Sequence, residues 1–147
     1  MDRPYVTENA KERERLKSLV ERLSDGELSF PMGEDWTISV ALAHLSFWDQ
    51  RSLILMRKWK RNGIVEPSPI DIDVTNDSLL STWRAIPPRV AANLAVSSAE
   101  KIDRELEEAS SDLIAEIESL GEKFRLYRSI HRKLHLDEIE KALRRKA

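Results

Sequence analysis

His131 and His135 lie four residues apart in a stretch, residues 122–147, that contains neither glycine nor proline. An uninterrupted stretch of that kind reads as helix. On a helix the spacing places both imidazoles on one face, one turn above the other. The only other histidine, His44, stands far upstream in a second helical segment. The expectation is a scaffold that brings His44 against this pair.

The punctuation of the chain suggests what that scaffold is. There are four glycines and six prolines, most of the prolines in connections, against a background rich in Leu, Glu, Arg, Lys and Ala. That composition favours an all-α chain, and 147 residues suit a single domain, 1–147. Thr7 or Asn9 can cap a first helix running to about Leu23, with Leu16, Leu19, Val20 and Leu23 as its apolar stripe. Ser24 and Asp25 suit a short helical turn over residues 26–29, ended by Pro31. Residues 33–36 read as a loop. Thr37 then caps a second long helix, residues 38–61, which stops at Asn62-Gly63. Residues 64–74, with Pro67 and Pro69, have no periodicity and form a long connection. Thr75 or Asn76 starts a third helix, with Leu79, Leu80 and Trp83 inward, broken at Ile86-Pro87-Pro88 and resumed through Leu106. A short helix over residues 113–120 is capped from Ser110 to Asp112 and ended by Gly121; the fourth long helix begins at Glu122. Four long helices with short extras predict a four-helix bundle.

Several function classes are disfavoured. Net charge is −2 with 34% charged residues, so the surface is mixed and carries no basic stripe for nucleic acid. The longest apolar stretch, residues 38–45, is too short for a bilayer, and residues 1–15 are too charged for a secretory leader. Cysteine is absent, which removes disulfides, thiolate ligands and cysteine nucleophiles. A cytoplasmic protein with a small-molecule partner is expected. The basic tail, residues 141–147, reads as a solvated helix end.

On a helical wheel Ala41, His44, Trp48, Leu55 and Trp59 share one face of the second helix, with Arg51 on the same side. Phe124, Tyr127, His131, Leu134 and His135 cluster on the fourth, flanked by Ile130 and Ile139. All three histidines thus fall within apolar faces. A buried neutral imidazole needs a partner for each ring nitrogen, and three in one bundle core are awkward unless something unites them. A divalent metal does so, with a coordination position left open; the alternative is three separately packed, hydrogen-bonded side chains. Glu138, three residues past His135, suits a fourth ligand, an acceptor behind a ligand, a general base, or a neighbour at the bundle rim. Arg51 suits an anchor for an anionic group or an interhelical ion pair. Asp49 either supports His44 or is solvated, and Tyr127 either faces a substrate or packs.

Three segments of the chain resemble the DinB-like four-helix bundle family, whose relatives include mycothiol-dependent maleylpyruvate isomerase and bacillithiol transferases. They are Leu23-Ser24-Asp25-Gly26-Glu27-Leu28 with Pro31, the Trp36-x7-His44-Leu45 segment with Trp48 following, and His131-x3-His135 through Glu140. The resemblance implies a right-handed up-down-down-up bundle. It also implies a divalent metal, most often zinc or nickel, on His44, His131 and His135. Dimers are common in the family, so a homodimer is compatible with it. Characterised relatives use the metal to activate a low-molecular-weight thiol, which implies a thiol-dependent transferase, with a hydrolase using water as the neighbouring expectation. Arg51 would then hold a carboxylate and Glu138 would assist the chemistry. A non-catalytic small-molecule- or metal-binding stress-response module is the alternative.

Overall fold

Capping chemistry sets most of the element boundaries. The computed structural model describes residues 3–146, so Met1, Asp2 and the last residue of the basic tail, Ala147, lie outside it. Helix α1 spans Pro4–Arg22 and starts on proline, whose fixed φ and missing N–H suit a first helical position. Neither Thr7 nor Asn9 caps it, contrary to expectation; Asn9 is buried and serves another helix. Helix α2, Asp25–Leu28, is held by a capping box between Ser24 and Glu27. The expected loop over residues 33–36 is a small hairpin, β1 (Pro31–Gly33) paired antiparallel with β2 (Trp36–Thr37). Glu34 and Asp35 both take positive φ at its tip, as a tight hairpin turn demands. Thr37 caps α3, Ile38–Asn62, by accepting from the Val40 N–H at 3.2 Å.

Helix α4, Ile72–Ala85, begins three or four residues earlier than Thr75 or Asn76. Asp71 is the actual cap and accepts from the Val74 N–H at 3.0 Å. Proline again opens α5, Pro88–Glu108, and Ser110 caps α6, Ser111–Glu118. The last helix, α7, spans Ser129–Lys146 rather than starting at Glu122. After a 3-10 turn at Gly121–Lys123 the backbone is extended at Phe124, which buries its ring against Trp59 with centroids 5.2 Å apart. Lack of glycine and proline permitted helix there; burial of Phe124 decided against it.

Helix accounts for 78% of the structure and strand for little more than the hairpin, so the fold is all-α. Helices α1, α3, α5 and α7 form a ring in which α1 packs on α5 and α7, and α3 packs on α5 and α7. Their directions follow from cross-helix bonds. Asn9 reaches Ser129 while Arg15 reaches Glu140, so α1 and α7 are parallel. Arg3 reaches Leu106 while Arg89 reaches Val20, so α1 and α5 are antiparallel. Ser46 meets Ser98 and Arg57 meets Glu105, so α3 and α5 are parallel. The bundle is therefore up-down-down-up. Two parallel neighbours need a connection that returns the full helix length, which the segment from Gly63 through α4 supplies. Alanines 91, 92, 95 and 99 on α5 are fully buried and let α3 approach closely.

Gly63 ends α3 in the left-handed region at φ 74° and donates its N–H to the Trp59 carbonyl. Gly63→Ala is expected to destabilise by about 1 kcal/mol, since alanine pays a steric cost there that glycine does not. Urea denaturation of the two proteins checks this.

The described core has two large apolar clusters and a smaller one of Val40, Ala43, Trp83 and Ala91. One of the large clusters gathers Leu16, Leu19, Leu42, Leu45, Leu136 and Ile139; the other gathers Leu53, Met56, Trp59, Ile102, Leu106 and Phe124. Between them lies a buried ionic layer. Arg132, 1% exposed, donates two bonds to Asp103 at 2.8 and 2.9 Å, one to Asp49 at 3.2 Å and one to the Asn9 carbonyl at 3.1 Å. Arg128 adds a bond to Asp49 at 3.0 Å, and Arg13 one to Asp103 at 2.8 Å. Burial opposes the Arg132 charge, but Asp49 and Asp103 outweigh it, and its pKa is held above the usual arginine range. Asn9 completes the layer: its side chain accepts from the Ser129 N–H at 2.9 Å and donates to the Leu126 carbonyl at 2.9 Å. It thereby caps α7 from the adjacent helix α1. No described helix is long and apolar enough to cross a membrane.

Candidate metal centre

His44 comes from the second turn of α3, and His131 and His135 from the first two turns of α7. The antiparallel packing of α3 on α7 brings them together. His44 Nε2 lies 2.9 Å from His131 Nε2, which lies 3.2 Å from His135 Nε2. The ligating atoms of all three lie within 4.8 Å of one another. The rings stand at 71°, 79° and 77° to each other, with centroids 4.7–4.8 Å apart, so three imidazole edges face one point. Two nitrogens on a tetrahedral zinc sit about 3.3 Å apart, close to these separations.

Protonation favours a cation at that point. The His135 Nδ1 lies 2.8 Å from a Glu138 carboxylate oxygen. A carboxylate only accepts, so Nδ1 carries the proton and the His135 Nε2 is a bare lone pair. His131 Nε2 faces that lone pair and the His44 Nε2 together, and a single N–H does not satisfy two such short contacts well. Burial pushes the His44 pKa down to about 3, with the nearby His135 adding to the effect. Burial takes His131 to about 2, helped by both neighbouring histidines and by Arg128 and Arg132. His135 is lowered by burial against the opposing pull of Glu138. The three rings are thus neutral at physiological pH, the state in which imidazole ligates. The donor set fits a divalent ion. The buried His44 Nδ1 has no hydrogen-bond partner among the described residues.

These shifts set the acid behaviour of the metal-free protein. In the unfolded chain the histidines protonate below about pH 6.5, whereas His44 and His131 resist protonation in the fold down to about pH 3 and 2. The unfolded state therefore binds more protons across that window, and stability falls as pH drops below about 6.5. A fully titrating group contributes a slope of about 1.4 kcal/mol per pH unit. Urea midpoints of chelator-treated protein at pH 7.5 and 5 are expected to separate accordingly, and His44→Gln is expected to narrow the gap.

Tryptophans wall the cluster. Trp36 packs edge-on to His44 at 5.0 Å and stacks on His135 at 6.1 Å; Trp83 and Trp48 meet His44 edge-on at 5.3 and 6.5 Å. The Trp48 Nε1 donates to Asn76 of α4 at 3.0 Å, which holds that indole in place. Outside this wall opens a cleft of about 500 Å³, with the histidines at its floor, Ile72, Ile130 and Leu134 at its rim, and Arg125 and Arg128 at one side. Among the described residues no carboxylate lines it. Glu138 instead lines an adjoining cavity of about 420 Å³ with Glu34, Lys141 and Arg145, which meets the cleft at Trp36 and His135.

The other candidates from the sequence lie away from the three nitrogens. Asp49 belongs to the ionic layer, where it pairs with Arg128 and Arg132 rather than supporting His44. Arg51 donates to the Ser68 carbonyl at 2.6 Å and lies beyond Trp48, in a neighbouring cavity. Tyr127 precedes α7 and is partly exposed, packing edge-on to Tyr5 at 6.1 Å. Leu134, expected on the apolar face, and Ile130, expected at its flank, are 55% and 52% exposed. The buried stripe of α7 runs instead through Arg132, Leu136 and Ile139, with the histidines at its edge. A wheel drawn from the sequence rotates this helix, because an arginine at the centre of a stripe counts as polar. Arg132, Asp103 and the interhelical role of Asn9 escape sequence reasoning; the one available signal is Asp103 lying next to Ile102 in an otherwise inward stripe.

The profile of the DinB superfamily matches residues 8–138, a span that contains all three histidines. The chain belongs to the DinB superfamily. No curated protein and no solved structure gives a match to it. The architecture is that of an all-α DinB-like bundle, and its His44, His131 and His135 cluster could hold a metal ion.

Proposed function

We propose that this DinB-superfamily protein is a metal-dependent enzyme. His44, His131 and His135 hold a divalent ion, zinc or nickel, and the cleft above them brings a low-molecular-weight thiol against an electrophilic substrate. The observation that carries this reading is the convergence of three neutral imidazole nitrogens at the floor of an open cleft. Held on these three nitrogens, such an ion would act as a Lewis acid, lowering the pKa of a thiol or water brought to it by the cleft.

The chain's own residues supply the rest. Glu138 fixes the tautomer and orientation of His135, acting behind the ligand rather than on a substrate. Trp83, buried, backs His44 from the protein interior, while Trp36 and Trp48 form walls of the cleft beside the histidines. A thiol is preferred to water as the nucleophile because the relatives that the chain resembles use a low-molecular-weight thiol; a thiolate, once formed, needs no general base.

Glu138→Gln is expected to weaken metal affinity by about 10–100-fold while preserving the fold, read by chelator competition. The whole reading is tested by metal analysis of gently purified protein, followed by incubation of the loaded protein with a panel of low-molecular-weight thiols and a model electrophile. Metal in a 1:1 ratio and thiol consumption above a His44→Ala control are expected. Failure to take up metal at neutral pH, or no consumption above that control with any thiol, would overturn it.

A further inference from the structure

The cleft over the histidines does not end at Trp48. On the far side of that indole lies a second cavity of about 370 Å³, walled by Arg51, Pro67, Pro69, Phe124 and Lys123. The two share Trp48, Ile72, Arg125 and Arg128 as common walls. They are therefore adjoining chambers, with the indole as the step between them: 6.5 Å from its centroid to that of His44, and 5.9 Å to the Arg51 guanidinium carbon.

The cationic charge in this annex exceeds the acidic charge lining it. Arg128 is committed to Asp49. Arg51 and Arg125 form no ion pair among the described residues, and the Arg51 Nη2 satisfies only the Ser68 carbonyl. That leaves its Nε and Nη1 without a hydrogen-bond partner among the described residues. Burial and the adjacent Arg128 charge depress the Arg51 pKa. Glu122 is the one acidic side chain in the described lining, against Arg51, Lys123, Arg125 and Arg128. A planar guanidinium with free donors, partly withdrawn from water, is suited to a carboxylate.

We propose that this annex binds a carboxylate, and that the ligand carrying it reaches over Trp48 to place its reactive end at the three histidines. The inference rests on the functional reading above for the reactive end only; the annex itself needs no metal. It assigns a substrate class: a small thiol or electrophile whose acid group stands a short flexible chain away from the reacting atom, with an apolar portion resting between Ile72 and the exposed Ile130 and Leu134.

The experiment has two arms. In the first, hexanoate is titrated into metal-free protein while the Trp48 indole N–H resonance, assigned with Trp48→Phe, is followed. A saturable shift is expected, weakened about tenfold or more by Arg51→Met and tightened by Glu122→Gln. No saturation, or the same affinity in Arg51→Met and Arg125→Met proteins whose melts match wild type, overturns the annex. In the second, cobalt-loaded protein is titrated with 6-mercaptohexanoate and with 6-mercaptohexanol, read by the thiolate-to-cobalt absorption band. About tenfold tighter binding of the acid is expected, with the preference lost in Arg51→Met. Equal affinities overturn a carboxylate on the thiol. In that case, simultaneous binding of hexanoate and mercaptohexanol assigns the carboxylate to the electrophile, and mutual exclusion overturns the shared-ligand proposal. If no cobalt band forms, the metal reading falls and the hexanoate arm alone decides the annex.

Discussion

Arg132→Met is expected to cost about 3–5 kcal/mol of stability. The methionine fills much of the volume, so the loss is electrostatic. Asp49 keeps only Arg128 and Asp103 keeps only Arg13, both carboxylates being nine-tenths or more buried. For a protein of this length the midpoint of thermal unfolding should fall by roughly 10–15 °C. Asp103→Asn in the same chain should recover part of the loss, because it removes one of the carboxylates left short of charge. Lys133→Met, one residue along but on the exposed face, should leave the midpoint almost unchanged. A fall of less than about 1 kcal/mol for Arg132→Met would show that water reaches the layer and that it is not a low-dielectric site.

His131→Ala is expected to abolish the stabilisation that metal confers. A ligand that binds only the folded state adds about 4 kcal/mol at a concentration 1,000 times its Kd. For this protein that is roughly 8–15 °C in the melting midpoint. His131 is the ligand of choice because its Nε2 touches both of the others. Its removal should weaken the site by more than the 10–100-fold that goes with losing a partner behind a ligand. Scanning calorimetry of wild type and variant, each with added zinc and with chelator, gives the comparison. The same zinc-induced rise in both proteins would remove His131 from the site, and no rise in wild type would remove the site.

Arg132 and His131 are neighbours on one helix turn, and they differ in how visible they are in the sequence. His131 and His135 stand out because a four-residue spacing has one meaning on a helix. His44 stands out because it lies in the middle of an apolar stripe. Arg132, between them, carries no such mark. Its burial depends on two aspartates from α3 and α5, 83 and 29 residues away in sequence, and nothing local distinguishes it from a solvated arginine. Treating it as polar turns the wheel and puts Leu134 on the apolar face and Ile130 at its flank, when both rim the cleft. Asn9 misleads for the same reason: a residue suited to capping is assigned to its own helix, while its side chain caps another 120 residues away.

The sequence by itself determined the helical class, the four long helices, most caps and the three histidines, because each rests on periodicity or on a side chain bonding within a few residues of itself. Only the tertiary structure decided that α7 begins at Ser129, that Glu138 stands behind His135 and away from the cleft, and that an ionic layer divides the core. It also decided that Arg51 faces a chamber adjoining the site. Those features depend on which groups are withdrawn from water together, and desolvation is a property of the packed chain, not of any stretch of it.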